Sequence, residues 1–328
     1  MSSNTQISGD IVKEYITKYP SISSRKITEL LINDIPELFN DPEKTRNQIR
    51  YYRGSNGQYN RTKMNVENYM PKINVPISDE VDYSFYNIDF NDNIFPIMAG
   101  SDAHIPYHDQ DALEIFIERA IEIKAKTIIL NGDWIDFYQI SNWQKDPRNR
   151  STKDEISLFN EILDMIQNNT EAKIIYKFGN HEERFDNYLM NNAPQLFELE
   201  EMHLDKILKL AERNIDVVKD KHIIKLNDLY ILHGHEYKFT MTNPVNPARG
   251  LFLRAKKNAI CGHFHQTSEH TEPTISNSII ANWSIGCLCG LHPLFMPQNK
   301  WNHGFAEIYY DDTFFSVRNR KITNYRLV

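Results

Sequence analysis

Apolar positions in the first 54 residues recur at helical spacing. Val12, Tyr15, Ile16 and Tyr19 fall at i, i+3, i+4 and i+7, which predicts an amphipathic helix ended by Pro20. Ser23 or Ser24 can cap a second helix, whose Ile27, Leu30 and Leu31 repeat the spacing. Asp41-Pro42 reads as an N-cap followed by a first-turn proline, and Gly54 as the stop of a third helix. Residues 55–92 hold Gly, Pro and many Asn without sustained periodicity and read as a linker running over the surface of the second domain. From residue 93 short apolar runs alternate with amphipathic helices: NIFPIMAG before 110–124, TIILNG before 153–168, KIIYKFGN before 183–190. Beyond about residue 215 the runs are strand-rich, in HIIKL, DLYILHG, NAICGH, SIIANWSIG, FAEIYY and TFFSVR. The pattern predicts a small all-α module over 1–54, a linker over 55–92, and a layered α/β domain with a β-rich second half over 93–328.

Composition narrows the class. The 328 residues are 41% apolar and 25% charged, which excludes fibrous and wholly disordered chains and suits two domains. No run approaches 18 consecutive apolar residues, so no membrane-spanning helix is expected, and MSSNTQISGD has neither the basic nor the apolar region of a secretory signal. Cys261, Cys287 and Cys289 are an odd set without Cys-x-x-Cys spacing, which predicts free thiols in a reducing, cytoplasmic setting. The net charge of −7 is uneven: residues 1–63 carry 10 Lys/Arg against 7 Asp/Glu, so a weakly basic head precedes an acidic body.

The residues with chemistry cluster at strand ends. Asp102 and His104 follow NIFPIMAGS; Asp133 and Asp136 follow TIILNG; Asn180, His181 and Glu182 follow KIIYKFG. His233 and His235 close DLYILHGH, and His263 and His265 close NAICGHFH. Ligands of open α/β sheets gather outside the carboxyl ends of the strands, so five strand ends point to one place. Imidazole and carboxylate donors suit Mn, Fe, Zn, Ni or Co rather than a soft thiolate site. Seven or more candidate ligands are too many for one ion with an open position, whereas two ions about 3.5–4 Å apart would use them. Small residues at Gly132, Gly179, Gly234 and Gly262 allow tight turns beside each ligand.

Taken in order, Asp102-x-His104, Gly132-Asp133-x-x-Asp136, Gly179-Asn180-His181-Glu182, His233-Gly234-His235 and Gly262-His263-x-His265 resemble the five motifs of the calcineurin-like metallophosphoesterase superfamily. The match spans roughly residues 93–318, and its specificity lies in the order and completeness of the set. The resemblance implies a four-layer αββα sandwich and a dinuclear centre, with manganese the first expectation. It assigns Asp102, His104 and His265 to one ion and Asn180, His233 and His263 to the other, with Asp133 bridging. It implies attack on phosphorus by a hydroxide bridging the ions, with His181 touching the phosphoryl oxygen or protonating the leaving group. More loosely, the chain resembles phosphoesterases of phage and prophage genomes that carry a short helical N-terminal segment.

Other residues carry secondary expectations. Asp136 and Glu182 read as acceptors for ligating imidazoles, His235 as an orienting or substrate-facing group, and Arg184 as a bidentate phosphate clamp or a surface guanidinium. Arg46, Arg50 and Arg53 share a stripe of the third helix that could face nucleic acid, with Lys44, Arg61 and Lys63 nearby; the alternative is a solvated face. The superfamily's protein phosphatases continue the Gly-Asp motif with an arginine, whereas here Phe137-Tyr138 follow Asp136 and could stack on a base or pack in the core. The expected activity is therefore phosphodiester hydrolysis on DNA, RNA or a nucleotide diester. The alternatives are a phosphomonoesterase on small phosphates or nucleotides, and a DNA-binding adaptor with a non-catalytic body. Protein partners are not specified by the sequence.

Overall fold

A computed structural model describes residues 2–54, 83–88, 95–142, 145–146, 151–237, 245–310 and 315–328. The chain divides into two compact units, Met1–Glu80 and Val81–Val328. Arg61 and Lys63 lie outside the described residues.

The first unit is three helices, α1 (Ser2–Lys18), α2 (Ser24–Asp34) and α3 (Pro42–Tyr52). Ser23 accepts from the Lys26 amide, and Asp41 accepts from those of Glu43 and Lys44, so both expected caps form. Val12, Ile16, Ile27, Leu31, Phe39 and Ile49 close a small core. Arg46 and Arg50 are exposed, but Arg53 corrects the predicted stripe. Its guanidinium donates to Tyr19 O at 3.2 Å, to Ile22 O and to Ser24 Oγ at 3.3 Å. Those carbonyls belong to the turn between α1 and α2 and lack helical partners, so Arg53 is held by the fold rather than presented to a polyanion.

The second unit holds two mixed sheets. The first has the order β13-β12-β11-β2-β3-β4-β5. Its parallel half is β2 (Ile97–Gly100), β3 (Thr127–Asn131), β4 (Lys173–Lys177) and β5 (Asp216–Val218), and β11 (His303–Tyr310), β12 (Phe315–Thr323) and β13 (Arg326–Leu327) extend it antiparallel. The second has the order β1-β6-β7-β8-β10-β9, from β1 (Tyr86–Asn87), β6 (Ile224–Leu226), β7 (Leu229–Leu232), β8 (Asn258–Cys261), β9 (Ser268–Pro273) and β10 (Ile279–Ser284).

Alternation along each strand builds the layers. Ile97, Ala99, Ile129 and Ile175 of the first sheet share a core with Ile224, Leu226, Ile231 and Ile260 of the second. The intervening Met98, Ile128, Leu130, Ile174 and Tyr176 pack outward on α4 (Gln110–Glu122), through Leu113, Phe116 and Ile117, and on α5 (Thr152–Asn169), through Phe159, Ile162 and Ile166. On the far side Leu232, Ala259 and Cys261 of the second sheet meet Leu251 of a later helix, Pro247–Ala255. The order helix, sheet, sheet, helix is the expected αββα sandwich. Strands buried on both faces explain why their sequences read as continuous apolar runs. Between β4 and that later helix lie α6 (Glu182–Asn192) and two one-turn helices, α7 (Pro194–Phe197) and α8 (Leu204–Ile207), which makes Pro247–Ala255 α9.

The linker reading needs correction at its C-terminal end. Tyr86 and Asn87 pair in parallel with Ile224 and Lys225, because Tyr86 and Ile88 pack against the inter-sheet core. Strand β9 is also illegible in sequence: SEHTEP is polar throughout and is a strand only through its six pairings with β10. All three cysteines are free and buried. Among the described residues, no helix is long and apolar enough to cross a membrane.

Glu155, in the first turn of α5, is fully buried. Burial, and then the charge of Asp136, push its carboxyl up to about 8. The unfolded chain releases this proton near the ordinary glutamate range while the folded chain keeps it, so stability is full below about pH 4.5 and is lost as pH rises towards 8. Glu155→Gln is expected to raise the melting temperature at pH 8 but not at pH 4; equal shifts at both pH values would refute the assignment.

Candidate metal centre

The carboxyl ends of β2, β3 and β4 in one sheet and of β7 and β8 in the other deliver the predicted ligands to one place. His265 Nε2 lies 3.1 Å from Asp102 Oδ1 and 3.2 Å from His104 Nε2, and His104 Nε2 lies 3.9 Å from Asp102 Oδ1. Beside this trio, His233 Nε2 lies 3.2 Å from Asp133 Oδ2, and His263 completes a second group with them. Asp133 also forms a group with His104 and His181, whose Nε2 is 3.7 Å from its Oδ2. One carboxylate thus faces both halves, as a bridging ligand would.

These atoms lack partners of their own kind. Asp102 Oδ1, Asn180 Oδ1 and His233 Nε2 are buried and meet no hydrogen-bond partner. Buried polar atoms without partners are costly, and several converging on one point call for a cation. The rings are already aimed. His233 Nδ1 donates to Asn131 O at 2.8 Å, which leaves Nε2 as the lone-pair atom. His104 Nδ1 is held by Asp136 Oδ1 at 2.9 Å, and His265 Nδ1 faces Cys289 Sγ at 3.8 Å. Carboxylates and neutral imidazoles in this arrangement fit two divalent ions.

The charges agree with that fit. Burial opposes ionisation of Asp102 and Asp133, yet His265 holds the first, and His181 and His233 the second, well below the usual carboxylate range. Burial also disfavours a charged His233, but Asp133 and Asp102 lift it to about 10, while burial and the neighbouring His233 push His263 down to about 4. The buried carboxylates demand positive charge, which divalent ions supply with the imidazoles neutral.

Local backbone follows the same demand. Asp102, His104, Asp133, His263 and His265 all have φ between 48° and 68°, a region that costs non-glycine residues roughly 1–2 kcal/mol each. A Cβ at Gly179 would sit 2.3 Å from Asp133 Oδ1, so only glycine lets that loop approach the central carboxylate.

Some expectations change in detail. Asp136 accepts from an imidazole as predicted, but Glu182 accepts from none. Its fully buried carboxylate takes the amides of Asp133 (2.9 Å), Trp134 (2.8 Å), Ile135 (3.2 Å) and Gly179 (2.8 Å) and the Tyr176 hydroxyl (2.7 Å). A carboxylate, with two oxygens that only accept, suits such a set where an amide would not. His235 turns away to Glu183 Oε1 at 3.0 Å. Arg184 donates to His181 Nε2 at 2.7 Å and to Asp136 O at 3.0 Å, so its guanidinium lies beside the centre. Phe137 is fully buried against Phe185 and cannot stack on a substrate, whereas Tyr138 is only half-buried.

Three contributors escape the sequence reading. Asn131 supplies the carbonyl that orients His233. Glu236 accepts from the His233 and Gly234 amides at 3.0 and 2.6 Å and pairs with the fully buried Lys177 at 2.7 Å. Cys289 groups with His104 and His265. Glu236 follows His235 directly, a visible signal; the other two become neighbours only through the fold.

Glu182→Gln places an amide N–H against backbone donors. It is expected to weaken Mn²⁺ or Zn²⁺ binding, measured by titration calorimetry, by at least about tenfold with the far-UV circular dichroism unchanged. Wild-type affinity would show that the five contacts do not organise the centre. Because ions that bind only the folded state stabilise it, chelation should lower the melting temperature and Mn²⁺ should restore it.

No family model and no curated protein matches the chain. Solved structures that align with it include Vps29 of Entamoeba histolytica complexed with zinc, at 12% identity over 71% of this chain and 95% of that chain, with a TM-score of 0.37. A dimetal phosphatase of Danio rerio aligns at 9% identity over 70% and 97%, TM-score 0.37. The Pseudomonas putida nuclease MPE aligns at 12% identity over 70% and 85%, TM-score 0.33. Likeness this slight leaves the fold and the chemistry to be read from this chain's own strands and side chains.

Proposed function

We propose that the protein is a dimetal-dependent phosphoester hydrolase of the calcineurin-like type, acting on a phosphodiester of nucleic acid or a nucleotide. The observation that carries this reading is the pair of His and Asp groups that share Asp133, with Asp102 Oδ1, Asn180 Oδ1 and His233 Nε2 buried and partnerless at the same strand ends. Asp102, His104 and His265 would hold one ion, and Asn180, His233 and His263 the other, with Asp133 between them. When bound, the ions supply a nucleophilic water of lowered pKa and neutralise charge developing on the phosphoryl oxygens.

The chain's own groups do the rest. His181 donates from Nδ1 to Asp136 O, which turns Nε2 toward Asp133 and Arg184. Nε2 accepts from Arg184 here, so it can protonate the leaving oxygen only as the imidazolium, once Arg184 has moved to the substrate. Arg184 can exchange its contact with Nε2 for a phosphoryl oxygen, a charge-assisted bond of the kind guanidinium favours. Asp136 holds both His104 and His181, coupling the ligand to the proton donor.

The N-terminal module adds Arg46 and Arg50, one turn apart and exposed, as contacts to a polyanion; Arg53 is excluded by its internal bonds.

Initial rates with added Mn²⁺ on matched chromogenic phosphodiester and phosphomonoester substrates test the reading, with Asp133→Asn as the blank. Diester preference is expected; monoester preference would move the substrate to small phosphates. His181→Ala should lower kcat by about 10²–10⁴-fold with two ions still bound, and loss of ions instead would make His181 structural. Replacing Arg46 and Arg50 with alanine should weaken binding to DNA and reduce its salt slope by about two. An unchanged slope would leave the module without a nucleic-acid role.

A further inference from the structure

The segment from Leu291 to Trp301, between β10 and β11, exposes apolar side chains that the core does not use. Leu294 is 101%, Phe295 80% and Met296 43% exposed. The loop is nevertheless built: Asn299 Nδ2 donates to Leu291 O at 2.7 Å and to Met296 O at 2.8 Å, and Asn299 Oδ1 accepts from the Trp301 amide at 2.8 Å. Just outside it, the Gly290 amide donates to Tyr107 O at 2.9 Å and Asn302 N to His265 O at 2.9 Å, which fixes the loop to two of the ligand-bearing segments.

A half-buried ring, Trp301, and the exposed Phe295 lead outward from the metal centre. The Trp301 ring lies 4.1 Å from that of His265, and the Phe295 ring meets Trp301 edge-on at 6.2 Å. Tyr107, 42% exposed and three residues after His104, stands edge-on to Tyr138 at 6.4 Å. Residues 291–301 contain no Asp or Glu and include Lys300, so nothing in the segment repels a polyanion.

We infer that this loop is a stacking platform for an unpaired nucleobase beside the scissile phosphate, with Phe295 and Trp301 as its surface. The inference rests on the nucleic-acid reading above and assigns that reading a single-stranded substrate. A nucleotide carries its base one sugar away from its phosphate, and the platform begins one ring away from His265. Aromatic rings carried on a hydrogen-bonded loop stack on bases of any sequence, and only an unpaired base offers them a face.

The test uses the full chain with Mn²⁺ and two single-stranded oligonucleotides of one sequence, one of them with abasic sites flanking the scissile phosphate. Both present the same phosphates. The intact strand is expected to be cleaved with a kcat/KM roughly 5- to 150-fold higher than the abasic one. Phe295→Ala, at a solvent-exposed position, should bring that ratio toward one. On the Asp133→Asn background, the same replacement should weaken binding of a fluorescently labelled intact strand by at least about fivefold. A wild-type ratio near one, or a ratio unmoved by Phe295→Ala, would overturn the platform and leave nucleic-acid hydrolysis standing. Hydrolysis of a small diester with neither oligonucleotide cut would overturn the nucleic-acid reading, and the platform with it.

Discussion

Electron-pair acceptors packed together inside a protein repel one another unless positive charge sits among them, and most of this fold is arranged around that constraint. Asp102 Oδ1, His104 Nε2 and His265 Nε2 lie 3.1–3.9 Å apart, and Asp133 and His233 repeat the arrangement alongside. In a buried setting such a group is unstable alone and strongly attractive to cations. The left-handed backbone at Asp102, His104, Asp133, His263 and His265 is the conformational counterpart of that electrostatic cost. Neither would persist without the surrounding sandwich to enforce it.

The sandwich enforces it through two buried carboxylates that bind backbone rather than metal. Glu182 gathers amides from the loops after β3 and β4, which ties together the segments carrying Asp133 and Asn180. Glu236 does the same for the loop after β7 and reaches across to Lys177 on β4, tying the two sheets together at the end where the ligands emerge. Because Lys177 and Glu236 are both buried, removing either leaves an unpaired charge and typically costs about 3–5 kcal/mol. The position of the centre is therefore inseparable from the contact between the sheets.

The surroundings are asymmetric. Arg184 meets His181, and the Trp301 ring meets that of His265.

Sequence alone marked the apolar strands and the Asp, His and Asn residues at their ends, because apolar runs followed by such residues are local patterns. It likewise set both N-caps of the helical module, since Ser23 and Asp41 act on amides two or three residues away. What it could not determine was anything decided by a distant partner. The stripe of Arg46, Arg50 and Arg53 is regular in sequence, yet Arg53 is claimed by the carbonyls of Tyr19 and Ile22, far back along the chain. Glu182 reads as a companion of histidines, but the backbone amides of the β3 loop reach it first. SEHTEP becomes a strand only beside β10, and Cys289 joins the centre only when the loop after β10 closes over His265. Local chemistry marked the candidate ligands; long-range packing chose their neighbours, because contacts between residues far apart in the chain leave no periodic trace in it.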